Sequence, residues 1–440
     1  MHEVVIVGAG AAGLTAALEL RKAGIDFVIL EARDRAGGRM FTIKSEAGNK
    51  IELGAELVHG LVPELINLVK AANLKVVQAN DDHLALEQRK LVNANQYFQN
   101  TNDILAAMTE YAESGDMSFA QFGRLITEER PRLASALEQA TGYVEDLNAC
   151  YAEKVGIDWL AKTQRASDET EGYKFFRLLD GYGALVDYLV AQLPAGKIEF
   201  DRVVRKIVWK KNEVVLEISS GDGQVAALAA RSALITLPVS ILQIACLAAE
   251  SNSAVVRFEP PLDQKLEALR SIELGRACRL SLEFRSRFWS EMESLSNFGF
   301  IHSRSLPFTT WWSQAPDPAP VLVAWAAGPK ADKLFGKAKS ELGELVMQSL
   351  AEVLEMPLAE LREELVEIHF HDWTSDPFTQ GAYSHVKANG MKAAKDLALP
   401  IDSTLFFAGE ATDTDGFSGT VSGAVKSGIR AAKELLQVLR

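Results

Sequence analysis

Cysteine is scarce in this sequence. Cys150, Cys246 and Cys278 are the only three in 440 residues, far apart and odd in number. Their spacing speaks against a disulfide framework and a cysteine metal site, and it fits a reducing compartment, so a cytoplasmic location is expected. Positive charge is also in short supply: the formal net charge is −13. That balance argues against a nucleic-acid partner, because phosphate binding needs a basic face. It mildly favours cationic small molecules. The opening "MHEVVIVG" goes straight into a strand with no leader pattern before it, so no signal peptide is expected. The longest uncharged run is "SALITLPVSILQIACLAA", residues 232–249, broken by Pro238, Ser240 and Gln243. It reads as a buried strand, a turn and a buried helix start, not as a membrane span. There is no internal repeat and no low-complexity tract. The seven histidines are scattered, with no Ser-His-Asp set and no metal cluster.

What remains is ordinary globular material. Apolar residues make up 48% and charged residues 24%, enough for a large core and for two or three domains. "EVVIVGAGAAGLTAALELRKAGIDFVILEA" reads strand, glycine turn, helix, strand. Gly8, Gly10 and Gly13 form G-x-G-x-x-G: a tight turn, a close backbone approach to a pyrophosphate, and close helix–strand packing. The helix N-terminus supplies N–H groups and partial positive charge. Glu31 ends the second strand, where a carboxylate suits an unphosphorylated ribose. Then "EARDRAGGRM" places Gly37 and Gly38 beside Arg33 and Arg39. A solvated charged loop is one reading. The other is a second diphosphate approach, for a dinucleotide that continues to another ring.

Further on, residues 61–170 show helical spacing and almost no strand signal. "KIEFDRVVRKIVWKKNEVVLEIS" reads as strands with a turn at Lys211–Asn212. "ACRLSLEF", "FTTWWS", "VLVAWAA" and "EIHFHDW" are strand candidates, interrupted by the helix "KSELGELVMQSLAEVL". The end returns to strand, loop and helix, so the nucleotide domain is expected to be discontinuous.

"VIVGAGAAGL…ILEARDRAGGRM" resembles the N-terminus of the FAD-dependent amine oxidases, the family of monoamine and polyamine oxidases, lysine-specific histone demethylases and L-amino-acid oxidases. "IELGAELVHG", "DPFTQGAYS" after Trp373, and "LFFAGEATDTDGFSGTVSGAVKSGIRAA" resemble its other flavin segments, in the family's order. The resemblance implies an α/β fold: a Rossmann-like FAD domain of p-hydroxybenzoate-hydroxylase-like topology (residues 1–61, 175–258 and 377–440). A mixed α+β substrate domain with a helical insertion is expected over 62–174 and 259–376. It implies that Glu31, Arg33, Gly38 and Arg39 hold the ADP part, and that Val204 meets the adenine through its backbone. Gly54, Ala55 and Glu56 form a flavin-contacting loop. Gly409 and Glu410 lie by the diphosphate and ribityl chain, and the helix starting near Thr420 and Val421 aims N–H groups at flavin O2. Trp373 and Tyr383 would wall the isoalloxazine, and His59 would face the cavity.

Several positions depart from better-known members. Ala382 stands where some monoamine oxidases attach FAD through cysteine, so FAD is expected to be non-covalent. Tyr383 supplies one ring of the usual aromatic pair, but the other position is Thr420, leaving the cage incomplete. Arg279 stands where the family usually has a lysine that holds a water against flavin N5. Strand alternation puts Arg279, Ser281 and Glu283 on one face and Cys278, Leu280, Leu282 and Phe284 on the other. Arg279 then faces either solvent or the flavin. The implied activity is oxidation of an amine C–N bond by hydride transfer to flavin N5. The products would be an imine, then aldehyde plus amine or ammonia, with oxygen as acceptor giving hydrogen peroxide. L-amino-acid oxidase, flavin-dependent desaturase and non-catalytic flavoprotein are the alternatives. No nucleic acid, membrane or metal is expected, and oligomeric state is left open.

Overall fold

The computed structural model describes residues 1–112, 115–221, 223–247, 256–292, 295–296 and 298–439. The strand His2–Val7 sits inside an eight-stranded sheet, and its residues Val4, Val5 and Ile6 are completely buried. A parallel strand covered on both faces has to be apolar throughout, which explains its unbroken valine–isoleucine run. It pairs in parallel with Phe27–Leu30 on one side and Val225–Ile235 on the other. Val225–Ile235 pairs through its first half with Glu213–Ser220, and through its last residues with Leu405–Phe407 near the chain end. One sheet thus draws strands from the start, middle and end of the sequence. Helices Ala11–Lys22 and Val421–Leu439 lie against each other, and a Cβ at Gly428 would come within 2.4 Å of the Ala12 carbonyl.

The uncharged stretch resolves as expected into the strand Val225–Ile235 and the helix Val239–Leu247, with residues 248 and 249 outside the described ones. Among the described residues no helix is long and apolar enough to cross a membrane.

A seven-stranded sheet builds the other half. Its order is Leu365–Phe370, Ala277–Phe284, Val321–Ala327, Thr310–Ser313, Phe300–His302, His83–Glu87, Lys90–Asn93. Helix Lys339–Val353 covers one face through Leu342, Val346 and Leu350, against Leu280 and Leu282. The reading of 61–170 as almost purely helical needs correction. Among the described residues of this stretch there are five α-helices, but also the strands Val76–Gln78, His83–Glu87 and Lys90–Asn93. The first two of these strands find partners far along the chain, Phe175–Leu178 and Phe300–His302. They are short and partly polar, so non-local pairing rather than local pattern makes them strands.

Ala277–Phe284 alternates as expected, but neither face is wet. Arg279, Ser281 and Glu283 are 8%, 1% and 1% exposed. The strand lies between two neighbours, and its polar face turns toward the other half of the molecule. There Glu283 accepts from Ser45 Oγ at 2.7 Å and lies 3.0 Å from His369 Nε2.

Candidate active site

The two glycine loops are one structure. Gly8 has φ +109°, and Gly37 and Gly38 have φ +100° and +57°. The Gly37 N–H donates to the Ala9 carbonyl at 2.8 Å, and Gly10 and Gly37 form a parallel bridge. At Gly13 a Cβ would sit 2.1 Å from the Gly8 carbonyl oxygen, so a hydrogen is all that fits where helix meets strand. Glu31, 4% exposed, closes the cradle by accepting from the Ala9 N–H at 2.8 Å and the Arg33 N–H at 3.0 Å. The solvated-loop reading of 31–40 therefore fails.

A single cavity of about 1420 Å³ starts at this cradle. It is bordered by Gly8, Gly10, Glu31, Arg33, Gly37, Gly38, Arg39, Gly54, Ala55, Glu56 and His59. It is also bordered by Val204, Arg279, Trp373, Tyr383, Gly409, Glu410, Thr420 and Val421. Of the candidate residues only Gly13 lies off it, in keeping with its packing role. The strand Arg202–Lys210 breaks register between Val204 and Lys206, just where Val204 meets the cavity. Thr420 caps the helix Val421–Leu439, its hydroxyl accepting from the Gly423 N–H at 3.0 Å, so the open N-terminus of a long helix faces the cavity.

The arginines are committed differently from each other. Arg33 is paired with Asp376 and donates to Thr379 Oγ1 at 2.9 Å; burial of Asp376 is outweighed by His371 and Arg33, which hold its carboxyl far below the usual range. Arg39 bonds the Ala382 carbonyl at 2.7 Å and Glu410 at 2.9 Å, while Glu410 also accepts from the Gly419 N–H at 2.8 Å. The solvent-facing reading of Arg279 is excluded. Its guanidinium lies in the cavity wall, bonded to Glu56 and to the Gly54 carbonyl at 3.2 Å, 5.6 Å from the Trp312 ring centroid. Glu56, expected at the flavin, spends its carboxylate on Arg279, Arg177 and the Trp312 indole N–H.

At the cavity's other end the Tyr383 and Trp325 rings lie parallel, at 11° with centroids 6.4 Å apart. Position 420 carries no ring, and Trp325 is the ring that stands parallel to Tyr383. Both rings are tied to the end of helix Ala134–Asn148: Tyr383 Oη donates to the Leu147 carbonyl at 2.7 Å, and Trp325 Nε1 to that of Asp146 at 3.2 Å. The Asp146 carboxylate accepts from Thr309 and Thr310 at 2.7 and 2.6 Å, and burial pushes its pKa up to about 6. Among the described residues no cation lies within ion-pair distance of it, though Lys330 exerts a Coulombic pull. His59 lies edge-on to Phe175, and burial lowers it to about 4, so it is neutral near pH 7.

Arg177, Trp312, Trp325, Asp146 and Asp376 were not singled out in the sequence. Asp376 opens the quoted segment "DPFTQGAYS" without being noted itself, Asp146, Trp312 and Trp325 sit in runs that read as plain helix or strand, and the stretch around Arg177 received no reading.

A glycine cradle, an acidic strand end, a helix N-terminus and one long cavity define a protein built to hold an extended dinucleotide. Comparison with known proteins specifies which. The family described as flavin containing amine oxidoreductase matches residues 11–436. Human lysine-specific histone demethylase 2 is 27% identical, over 98% of this chain and 53% of its own length. Rice polyamine oxidase 3 is 27% identical, over 98% of this chain and 88% of its own. The chain thus spans about half or less of the histone demethylases it matches. Among solved structures, a putrescine oxidase double mutant superposes with a TM-score of 0.82 at 20% identity, covering 99% of each chain. Cyclohexylamine oxidase from Brevibacterium oxydans IH-35A gives 0.81 at 19%, again over 99% of each. The chain belongs to the flavin-containing amine oxidoreductase family, and its cofactor is FAD.

Proposed function

We propose that this chain oxidises the C–N bond of an amine that carries a second positive charge, a diamine or polyamine. The observation that carries the reading is the single cavity joining the glycine cradle to the Tyr383–Trp325 wall and the Asp146 carboxylate. Bound FAD supplies the hydride acceptor and, through oxygen, the route to hydrogen peroxide; water hydrolyses the released imine to aldehyde and amine or ammonia.

The chain's own groups bind and orient. Gly8, Gly10, Gly37 and Gly38 bring backbone against the diphosphate, Glu31 takes the ribose, and the helix after Thr420 directs positive partial charge at the ring's electron-rich edge. Tyr383 and Trp325 bury the alkyl chain and exclude water. A neutral His59 adds no charge that would repel an amine. Asp146 attracts the non-reacting ammonium, which fixes the length between anchor and reacting carbon. The amino-acid oxidase alternative is disfavoured, because both terminal nitrogens of Arg279 are already bonded, to Glu56 and to the Gly54 carbonyl, which leaves no two-pronged fork for a substrate carboxylate. In this reading the FAD domain is residues 1–61, 175–258 and 377–440, and the substrate domain is the remainder.

The test is an anaerobic screen in which monoamines, diamines, polyamines and L-amino acids are mixed with the oxidised protein and flavin absorbance is followed. Bleaching fastest with a diamine or polyamine is expected. Bleaching by amino acids alone, or by nothing, would overturn the proposal.

A further inference from the structure

We infer that Arg177, which does not border the cavity, is a positioning residue that sets the charge the cavity presents to the flavin. The inference rests on the reading that the flavin ring lies against Gly54–Glu56.

Three buried charged groups form a chain from the interior to the cavity. Arg177, 4% exposed, is anchored behind the wall by the Ser313 carbonyl at 2.8 Å and Gln314 Oε1 at 3.1 Å. It pairs with Glu56 Oε1. Arg279 pairs with the other oxygen, Oε2, and lies on the cavity wall. The Trp312 indole N–H, 3.1 Å from Oε1, completes the donors around the carboxylate. Within the Arg177–Glu56–Arg279 set two guanidinium cations face one carboxylate, a net charge of +1, with Glu52 pulling on both arginines and Asp317 on Arg177 from outside the set. Burial lowers Arg177 to about 9 and Arg279 to about 10, so both remain cations near neutral pH.

Without Arg177, Glu56 and Arg279 would be a neutral pair. With it, Glu56 is matched from behind, and the charge of Arg279 is left for the cavity. Arg279 Nε is buried without a hydrogen-bond partner among the described residues. A reduced flavin carries negative charge that such a site stabilises. The neighbouring Glu52 is held separately by the Tyr182 N–H at 2.7 Å and Thr42 Oγ1 at 2.8 Å. Burial raises its pKa while Arg279 and Arg177 lower it, so loss of Arg177 favours its protonation and reduces the expected shift without reversing it.

The experiment is a reductive titration of the FAD-loaded protein against indicator dyes. Arg177→Met takes the cluster from one positive charge to none, and the reduction equilibrium constant should fall at least tenfold, about 30 mV for a two-electron couple. Glu56→Gln takes it to two, and the constant should rise by a similar factor. The double variant restores one charge, and its constant should return to within about threefold of the native value. A purely structural role would not give opposite shifts that cancel. Shifts of one sign in both single variants, or a double variant that stays displaced, would overturn the inference. Should the methionine variant not fold, Arg177→Lys and Glu56→Gln decide: the first must leave the potential unchanged and the second raise it. Trp373→Phe separates the two assumptions, since it should perturb the visible flavin spectrum if the ring lies in this cavity. A perturbed spectrum with unmoved potentials refutes the charge inference alone; an unperturbed one refutes the placement.

Discussion

Replacing Asp146 by asparagine keeps the side chain's shape and removes its charge. Burial lifts this carboxyl from 3.8 to about 6, against the pull of the Thr309 and Thr310 hydroxyls. A shift of roughly 2 units is worth about 3 kcal/mol at 1.36 kcal/mol per unit. The folded pKa lies above the unfolded one, so the native state is favoured while Asp146 is protonated. That stability is fully present below the unfolded value and is lost as pH rises through about 6. Asparagine has no proton to lose and escapes this cost. It pays about 1 kcal/mol instead, because one threonine hydroxyl now faces an amide NH₂. In the absence of substrate, Asp146→Asn should be no more stable than the native protein at pH 4.5 and about 2 kcal/mol more stable at pH 8, by urea unfolding. Activity should move the other way. At an effective dielectric of 20, a carboxylate and an ammonium about 4 Å apart attract by about 4 kcal/mol. Lys330 offsets part of this, so kcat/KM for a diamine should fall on the order of 100-fold, or about 2.7 kcal/mol. A monoamine of matched length should lose less than about threefold. Equal losses for both substrates, or a stability difference that does not grow with pH, would refute the assignment.

The FAD site yields four further expectations. Gly13→Ala should abolish FAD retention, since its Cβ would stand 2.1 Å from the Gly8 carbonyl oxygen; yellow colour after gel filtration checks it. Glu31→Ala should weaken FAD binding far more than Glu3→Ala, because Glu31 fixes the Ala9 and Arg33 amides while Glu3 accepts only from the surface Asp26 N–H among the described contacts. Thr420→Ala should cost about 1 kcal/mol in thermal unfolding of the apoprotein, as expected for loss of a helix N-cap. Acid precipitation should leave the flavin in the supernatant, because Ala382 offers no sulfur for a thioether; colour in the washed pellet would contradict this.

The nucleotide half was legible because its physics is local. A turn between strand and helix needs glycines at fixed offsets, a buried parallel strand needs unbroken apolar residues, and a helix N-terminus needs a cap. All of these are neighbours in sequence from Gly8 to Glu31, whereas the segment from Gly409 to Val421 was marked by its resemblance to the family's flavin segment. The position of Arg279 was legible too, but not its surroundings. Alternation along Ala277–Phe284 says that Arg279 and Leu280 point opposite ways, and it is silent on what covers each face.

Amino-acid order alone thus determined the cradle, the discontinuous sheet and the FAD-type cofactor. Only the tertiary structure decided that Trp325 stands parallel to Tyr383, that Asp146 closes the aromatic end, and that Arg177 and Arg279 share Glu56. Each of these joins elements far apart in the chain. Arg177 lies on Phe175–Leu178, Glu56 beside Leu57–His59, and Arg279 on Ala277–Phe284. A buried charge is tolerable only where a partner meets it. Whether the partner does so depends on how sheets and helices pack, not on anything within reach along the chain.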